Sequence, residues 1–287
     1  MDAMRARGYW GGMAGQWHER RGRGGVRILH LGASGRLGRM VSAAWARDPG
    51  LDVVAQWRRA SEAPEGALVW SPLEGPVPEI GPVDAVVDLG GVVRGDLGLN
   101  AALASAALDA ADRLGARWTL LPSSAAVYGA GPFGEEDDPR PLSGYGRAKR
   151  EVERLAAGRR ATCLRIGNVA GADALLGRGG EARVIDRLPD GRGPRRSYIG
   201  PAGLARVLAG LAAMGPGLPP VLNVAAPRAV AMEALAEAAG LSWSHRPAPA
   251  GVLAEVELPT ERLEALLPGA AGPADPAAMV AEWRGLA

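Results

Sequence analysis

Lysine is all but missing from this chain. Its 33 basic residues include one lysine, Lys149. A composition so biased toward arginine implies that Lys and Arg were exchanged freely wherever only positive charge mattered. Other shortages exclude whole classes. Aromatics make up 5%, with one Phe, so Leu, Val and Ala must do most of the packing. The lone cysteine, Cys163, rules out an internal disulfide and argues for a reducing, cytoplasmic setting. It lies in the apolar run Ala161–Ile166, which points to a buried structural thiol rather than a nucleophile. His18, His30 and His245 are scattered without ligand spacing, so no metal site is expected. No apolar run is long enough for a membrane-spanning helix. With 33 basic against 31 acidic residues, the net charge of +2 gives no reason to expect a nucleic-acid partner. No repeat period is present, which excludes a solenoid.

The length of 287 residues and a hydrophobic content of 47% suit one large domain, or a core domain with a smaller lobe. Residues 1–25 are rich in Gly and Arg. Their Arg20-Arg21 pair has no apolar stretch after it, so they read as a disordered tail or an overextended start rather than a signal peptide.

The one lysine stands four residues after Tyr145, the spacing that stacks two side chains on one helix face. A phenol is a poor acid–base catalyst near neutrality, with a pKa of about 10. A neighbouring ammonium favours the phenolate, so Lys149 is expected to pull the Tyr145 pKa down. A compact ammonium with rotatable donors does what a planar guanidinium cannot.

A second pattern begins near the N-terminus. The strand-like run Val26–Leu31 leads into Gly32-Ala33-Ser34-Gly35-Arg36-Leu37-Gly38, and residues 39–46 read as a helix. In that context the glycines let backbone N–H groups approach a pyrophosphate at a helix N-terminus, where the dipole favours an anion. The next strand, 51–56, is followed by Trp57, Arg58 and Arg59 rather than by an acidic residue that would grip the ribose hydroxyls of NAD. Arginine there suits a 2′-phosphate, which favours NADP(H) over NAD(H). Further strands are expected around 67–70, 83–91, 117–121 and 162–166, with helices over 100–114 and 145–157. The alternation implies an α/β fold, a Rossmann-type doubly wound parallel sheet, with ligands at the carboxyl ends of its strands.

Taken together, these residues resemble the extended short-chain dehydrogenase/reductase family, in its NAD-dependent epimerase/dehydratase branch. Besides the glycine loop, Ser123-Ser124-Ala125-Ala126-Val127-Tyr128-Gly129 resembles the strand-end motif carrying the catalytic Ser or Thr. Tyr145 and Lys149 fill the Tyr-x-x-x-Lys pair, and Glu153 also fits. Asn100–Ala111 resembles the family's central helix, Arg165–Val169 the segment leading to the substrate, and Val221–Val224 a late strand. Arg196–Ile199 resembles the stretch whose arginine meets a nucleotide substrate's phosphate.

The resemblance implies a catalytic set of Ser124, Tyr145 and Lys149. It implies cofactor contacts from Gly32, Ser34, Gly35, Arg36, Leu37, Gly38, Arg58, Leu89, Gly90, Tyr145, Lys149 and Val169. Substrate contacts would come from Ser124, Asn168 and Arg196. It also implies a dinucleotide-binding domain over 26–168 and a small substrate lobe over 169–287, with about 197–240 returning to the core. A homodimer is possible. Family members that dehydrate sugars carry an acidic pair where this chain has Ala125 and Ala126, which argues against elimination. The expected activity is hydride transfer at a secondary alcohol or ketone of a small molecule, a sugar or sugar derivative, by an oxidoreductase or epimerase. The alternative is an NADP(H)-binding sensor or assembly protein without turnover. Two short helices, one capped by Thr260 and one near 275–283, are expected to close over the substrate lobe.

Overall fold

The apolar runs become the strands of one large sheet. A computed structural model of the chain describes residues 25–177 and 182–286. The expected N-terminal tail lies, Gly25 apart, outside the described residues. The strands are β1 (Val26–Leu31), β2 (Leu51–Trp57), β3 (Leu68–Val69), β4 (Ala85–Asp88), β5 (Trp118–Ser124), β6 (Ala161–Ile166) and β10 (Val221–Val224). They lie in the order β10-β6-β5-β4-β1-β2-β3, every pair parallel. This is a Rossmann-type sheet. Chain order reverses at β1, which sits between β2 and β4, and such a switch point opens a crevice at the strands' carboxyl ends.

Parallel strands buried on both faces send successive side chains to opposite cores. Ile28, Val87, Leu120, Leu164 and Leu222 point to one side, where α1 (Arg36–Trp45) and α4 (Pro201–Met214) cover them with Val41, Trp45, Leu204, Leu208 and Leu211. Leu29, Leu31, Val86, Leu121 and Cys163 point to the other side. There α2 (Leu99–Arg113) and α3 (Gly144–Ala156) bring Ala104, Ala107, Leu108, Val152 and Ala156. The alanines on α2 let that helix lie close to the sheet. Cys163 is buried here, and burial pushes its thiol up to about 12, in keeping with an inert core residue. His30 sits in the first core beside Ser42 and edge-on to Trp45, and burial pulls its imidazole down to about 3.

Two smaller sheets follow. Strand β9 (Arg195–Ile199) pairs with β7 (Asn168–Val169), β11 (Ala229–Ala231) and β13 (Glu255–Val256), and β8 (Arg183–Arg187) pairs with β12 (Trp243–Pro247). Their core holds Leu175, Ile185, Tyr198, Val230 and Leu235, the last from α5 (Met232–Ala238).

The last two helices, both expected over the lobe, divide between the two cores. On α6 (Glu261–Leu266), Leu263 and Leu266 join the core beneath the large sheet. Thr260 makes no side-chain cap there; its carbonyl accepts the Glu264 amide instead. The other helix, α7 (Pro276–Leu286), is capped by Asp275, whose Oδ1 accepts from the Ala278 amide at 2.6 Å. It docks on the N-terminus of α4, where Glu282 Oε2 accepts the Ala202 and Gly203 amides at 3.1 Å each. Met279 and Val280 of α7, with Trp283 packed beside them, join the lobe core of Ile185 and Leu235, so α7 bridges the lobe and α4, whereas α6 lies against the large sheet. Among the described residues no helix is long and apolar enough to cross a membrane.

Candidate active site

The glycine loop leaves β1 through Gly32, whose φ of +76° only glycine adopts without strain. A Cβ there would stand 2.5 Å from the Gly90 amide nitrogen, so the loop after β4 can approach closely. At Gly38 a Cβ would overlap the Gly32 carbonyl oxygen, which fixes how tightly α1 folds back on the loop. Gly35 caps α1 with no side-chain bond, and the first turn carries no acidic residue. The helix therefore presents an uncompensated positive dipole end to the crevice.

The crevice has two connected halves that share Gly35 and the Leu89–Val92 turn. The first, about 380 Å³, is lined by Gly32, Ser34, Gln56, Arg58, Glu74 and Asp88 among others. The second, about 400 Å³, is lined by Arg36, Leu37, Gly38, Ser124, Tyr145, Lys149, Asn168 and Val169 among others. Of the residues expected at the site, Arg196 alone lines neither half. Its guanidinium turns to the carbonyl of Arg195 at 2.7 Å.

At the end of β2, where an acidic residue could grip ribose, stands Gln56. Its Oε1 accepts the Gly32 amide at 3.0 Å, and its side-chain amide donates to the Trp70 carbonyl. This side chain ties β1, β2 and the segment after β3 together. Arg58 is exposed at the rim.

The reactive-type residues come from three elements. Ser124 ends β5, and its hydroxyl accepts the Ala126 amide at 3.2 Å. Tyr145 and Lys149 share a face of α3, with the ammonium 5.8 Å from the ring centroid. Ser143 caps that helix, accepting the Gly146 amide at 3.0 Å. Burial raises the Tyr145 pKa, and its hydrogen bond with Ser124 opposes the rise. The sign is opposite to the expectation of a phenol pulled down by Lys149. Desolvation of the phenolate outweighs the one opposing contact, that with Ser124, and the ammonium 5.8 Å from the ring centroid does not reverse it.

Behind this face lies a buried polar network. Arg165 at the end of β6 forms a bidentate pair with Glu153 of α3, both bonds at 2.9 Å. Ser123, next to Ser124, donates to the same carboxylate at 2.6 Å. The guanidinium also lies over the Tyr128 ring, 4.6 Å from its centroid. Tyr128 in turn donates to Asn223 of β10 at 2.8 Å. Three strands and α3 are thus locked together one helical turn past Lys149. Among the described residues no cluster of His, Cys, Asp or Glu could hold a metal ion.

The model of the NAD-dependent epimerase/dehydratase family matches residues 28–190, more than half of the chain. The chain belongs to that family. No curated protein sequence matches it. Solved structures similar to it include MoeE5 in complex with UDP-glucose and NAD, with a TM-score of 0.72 and 23% identity over 91% of this chain and 100% of that one. The NAD-dependent NDP-hexosamine 5,6-dehydratase TunA, involved in tunicamycin biosynthesis, has a TM-score of 0.72 and 17% identity over 91% and 98%. UDP-glucose 4-epimerase of Thermus thermophilus, in complex with NAD, has a TM-score of 0.63 and 20% identity over 90% and 99%. At these identities the likeness shows the fold.

Several lining residues of this epimerase/dehydratase-family chain escape a reading by motif. Asn100 Nδ2 donates to the carbonyls of Val92 at 2.9 Å and Leu97 at 3.0 Å, and so holds the loop that walls the cleft. Asp173 is held by the Tyr198 hydroxyl at 2.6 Å and by the Leu175 and Leu176 amides. Asp88 follows an apolar run and precedes Leu89-Gly90-Gly91, a pattern that marks it as a strand-end carboxylate.

Proposed function

We propose that this protein is a nicotinamide-dinucleotide-dependent oxidoreductase or epimerase acting at a secondary alcohol or ketone of a sugar nucleotide or related sugar derivative. The observation that carries the reading is the convergence of Ser124, Tyr145 and Lys149 on a cleft that runs on, without interruption, to the glycine loop. The residues fit a dinucleotide. The glycines let backbone approach, the helix dipole and Arg36 favour an anion, and the two halves suit two connected nucleosides. Gly32, Ser34, Gly35 and Arg58 would hold one end, and Tyr145, Lys149 and Val169 the other. When bound, the dinucleotide supplies the hydride donor or acceptor.

The chain's own residues supply the rest. Tyr145 moves a proton between its phenolic oxygen and the substrate oxygen. Ser124, which lines the same half of the cleft as Tyr145, donates to that same oxygen and steadies charge as it develops. Lys149 keeps a positive charge against the phenol and the sugar of the cofactor. Asn168 and Ser124 would orient the substrate, and Arg196 could reach a substrate phosphate only by giving up its bond to Arg195. No carboxyl group at Ala125 or Ala126 serves an elimination, so dehydration is not part of the proposal.

The end of β2 supports NADP(H) over NAD(H), since Gln56 is committed to backbone groups and Arg58 is free to meet a 2′-phosphate. MoeE5 and the Thermus enzyme were solved with NAD, which leans the other way for those proteins. A fluorescence titration with NADPH and with NADH decides. Tighter NADPH binding, lost on Arg58→Asp, is expected. Equal or tighter NADH binding makes Arg58 a surface charge and moves internal-cycle epimerisation forward. Cofactor released from the denatured purified protein would point the same way, because an epimerase regenerates its cofactor within the site.

A further inference from the structure

Asp88 has no part in the mechanism above, yet its place is unusual. It ends β4 beside the switch point and is 3% exposed. Its Oδ1 accepts the Gly90 amide at 2.7 Å, and the residue lines the crevice. The Gly90–Gly91 turn brings it near Lys149. A Cβ at Gly90 would come within 2.9 Å of Asp88 Oδ1, and one at Gly91 within 3.2 Å of Lys149 Nζ. Carboxylate and ammonium thus flank the same two glycines. Lys149 is 4% exposed and makes no hydrogen bond among the described residues.

The other groups facing this pair do not offer it a countercharge. Tyr145 on α3 is a phenol held protonated by burial. Cys163 on β6 is a buried thiol. On α2 the facing residue is the neutral Asn100. His30 on β1 points into the opposite core, against Trp45, and Asp173, which lines the same half of the cleft as Lys149, is taken by Tyr198 and two amides. Glu153 is taken by Arg165. An ammonium withdrawn from water without a partner gives up its proton, and so a nearby carboxylate is what keeps it charged.

We propose that Asp88 is the counter-ion and positioning residue of Lys149, its carboxylate holding the buried ammonium charged and in place across the Gly90–Gly91 turn. The inference rests on the reading of Lys149 given above. Its consequence is a one-proton switch in the cleft. With Asp88 ionised the pair is neutral, and with Asp88 protonated the cleft gains one positive charge. Burial pushes this carboxyl up to about 7, with Lys149 opposing, which puts the switch near neutral pH. Burial likewise pulls Lys149 down, and Asp88 opposes that.

The lysine shortage makes the test direct. Protein grown on ¹³C-lysine, with a lysine-free tag, gives one lysine side-chain spectrum, that of Lys149. In the wild type its Cε shift should show a step near neutral pH, as Asp88 titrates, and a main transition at higher pH. Asp88→Asn retains an acceptor for the Gly90 amide. In that variant the neutral step should vanish, and the ammonium should lose its proton with an acid constant raised about tenfold or more, which is one pKa unit. A wild-type curve without the neutral step overturns the proposal, and needs no variant. So does an Asp88→Asn curve that follows the wild type. The measurement uses no dinucleotide. If the coupling is present but neither NADPH nor NADH binds, the functional reading fails and the pair stands.

Discussion

Replacing Tyr145 by Phe is expected to lower turnover by about 10²–10⁴-fold, the usual contribution of a positioned acid–base group. Dinucleotide affinity should change little, since the ring stays and only the hydroxyl is lost. The physical reason is that no other group near Ser124 can replace the phenol. Lys149 is held away on the next turn, the carboxylate of Glu153 is taken by Arg165 and Ser123, and Asp173 is taken by Tyr198 and two amides. The rate is read with a panel of nucleotide sugars and simpler ketoses, from reduced-cofactor absorbance for net oxidation or reduction and from the appearance of the epimer for an internal cycle. Ser124→Ala should lose a smaller factor, because it removes one donor and leaves the proton path. A Tyr145→Phe protein that binds dinucleotide and keeps its full role in the cell would instead mark a sensor or assembly protein.

The second large effect is on stability. Glu153→Ala should cost about 3–5 kcal/mol, the range for breaking a buried ion pair by removing one partner. Arg165 is 3% exposed at its side chain and would be left with a charge and no carboxylate. Its stacking on Tyr128 and its weak bond to the Glu135 carbonyl at 3.4 Å do not neutralise it. Urea unfolding checks this as a lower midpoint at an unchanged slope. The companion variant Glu153→Leu with Arg165→Met should recover at least half of the loss, because the buried charge goes with its partner. A double variant no better than the single would mean that Ser123 and Tyr128, not the unpaired guanidinium, set the cost. Either way the network lies between α3 and β5, so its loss should also blur the register of Tyr145 over Ser124.

Much of this fold was legible in local pattern. Short β-branched and aliphatic runs closed by Gly or Pro, alternating with alanine-rich helical stretches, admit few arrangements besides a parallel sheet covered on both faces. The glycine loop was readable because steric exclusion acts locally: Gly32 needs positive φ and Gly38 needs the absence of a Cβ. The Tyr145–Lys149 spacing placed two side chains on one helix face from periodicity alone. The single lysine was equally legible, since a position that keeps its ammonium in an arginine-rich chain stands out.

Other features were decided only when distant segments met. The direction of the Tyr145 shift depends on how much water is excluded around the phenol, which no spacing reports. Arg196 reads as an anion contact in sequence; its strand pairs with β7, whose Asn168 and Val169 line the cleft, yet its own side chain lines neither half and donates to the Arg195 carbonyl. Of the C-terminal helices, α6 went to the main core with Leu263 and Leu266, whereas α7 put Met279 and Val280 into the lobe core while its Glu282 took amides at the start of α4. Asp88 and Lys149 stand 61 residues apart in the chain. Composition and short-range pattern therefore determined the layers, the loop and the helix face. Long-range packing decided which charges are buried and beside what, because desolvation and Coulomb energy depend on neighbours in space and not on neighbours in sequence.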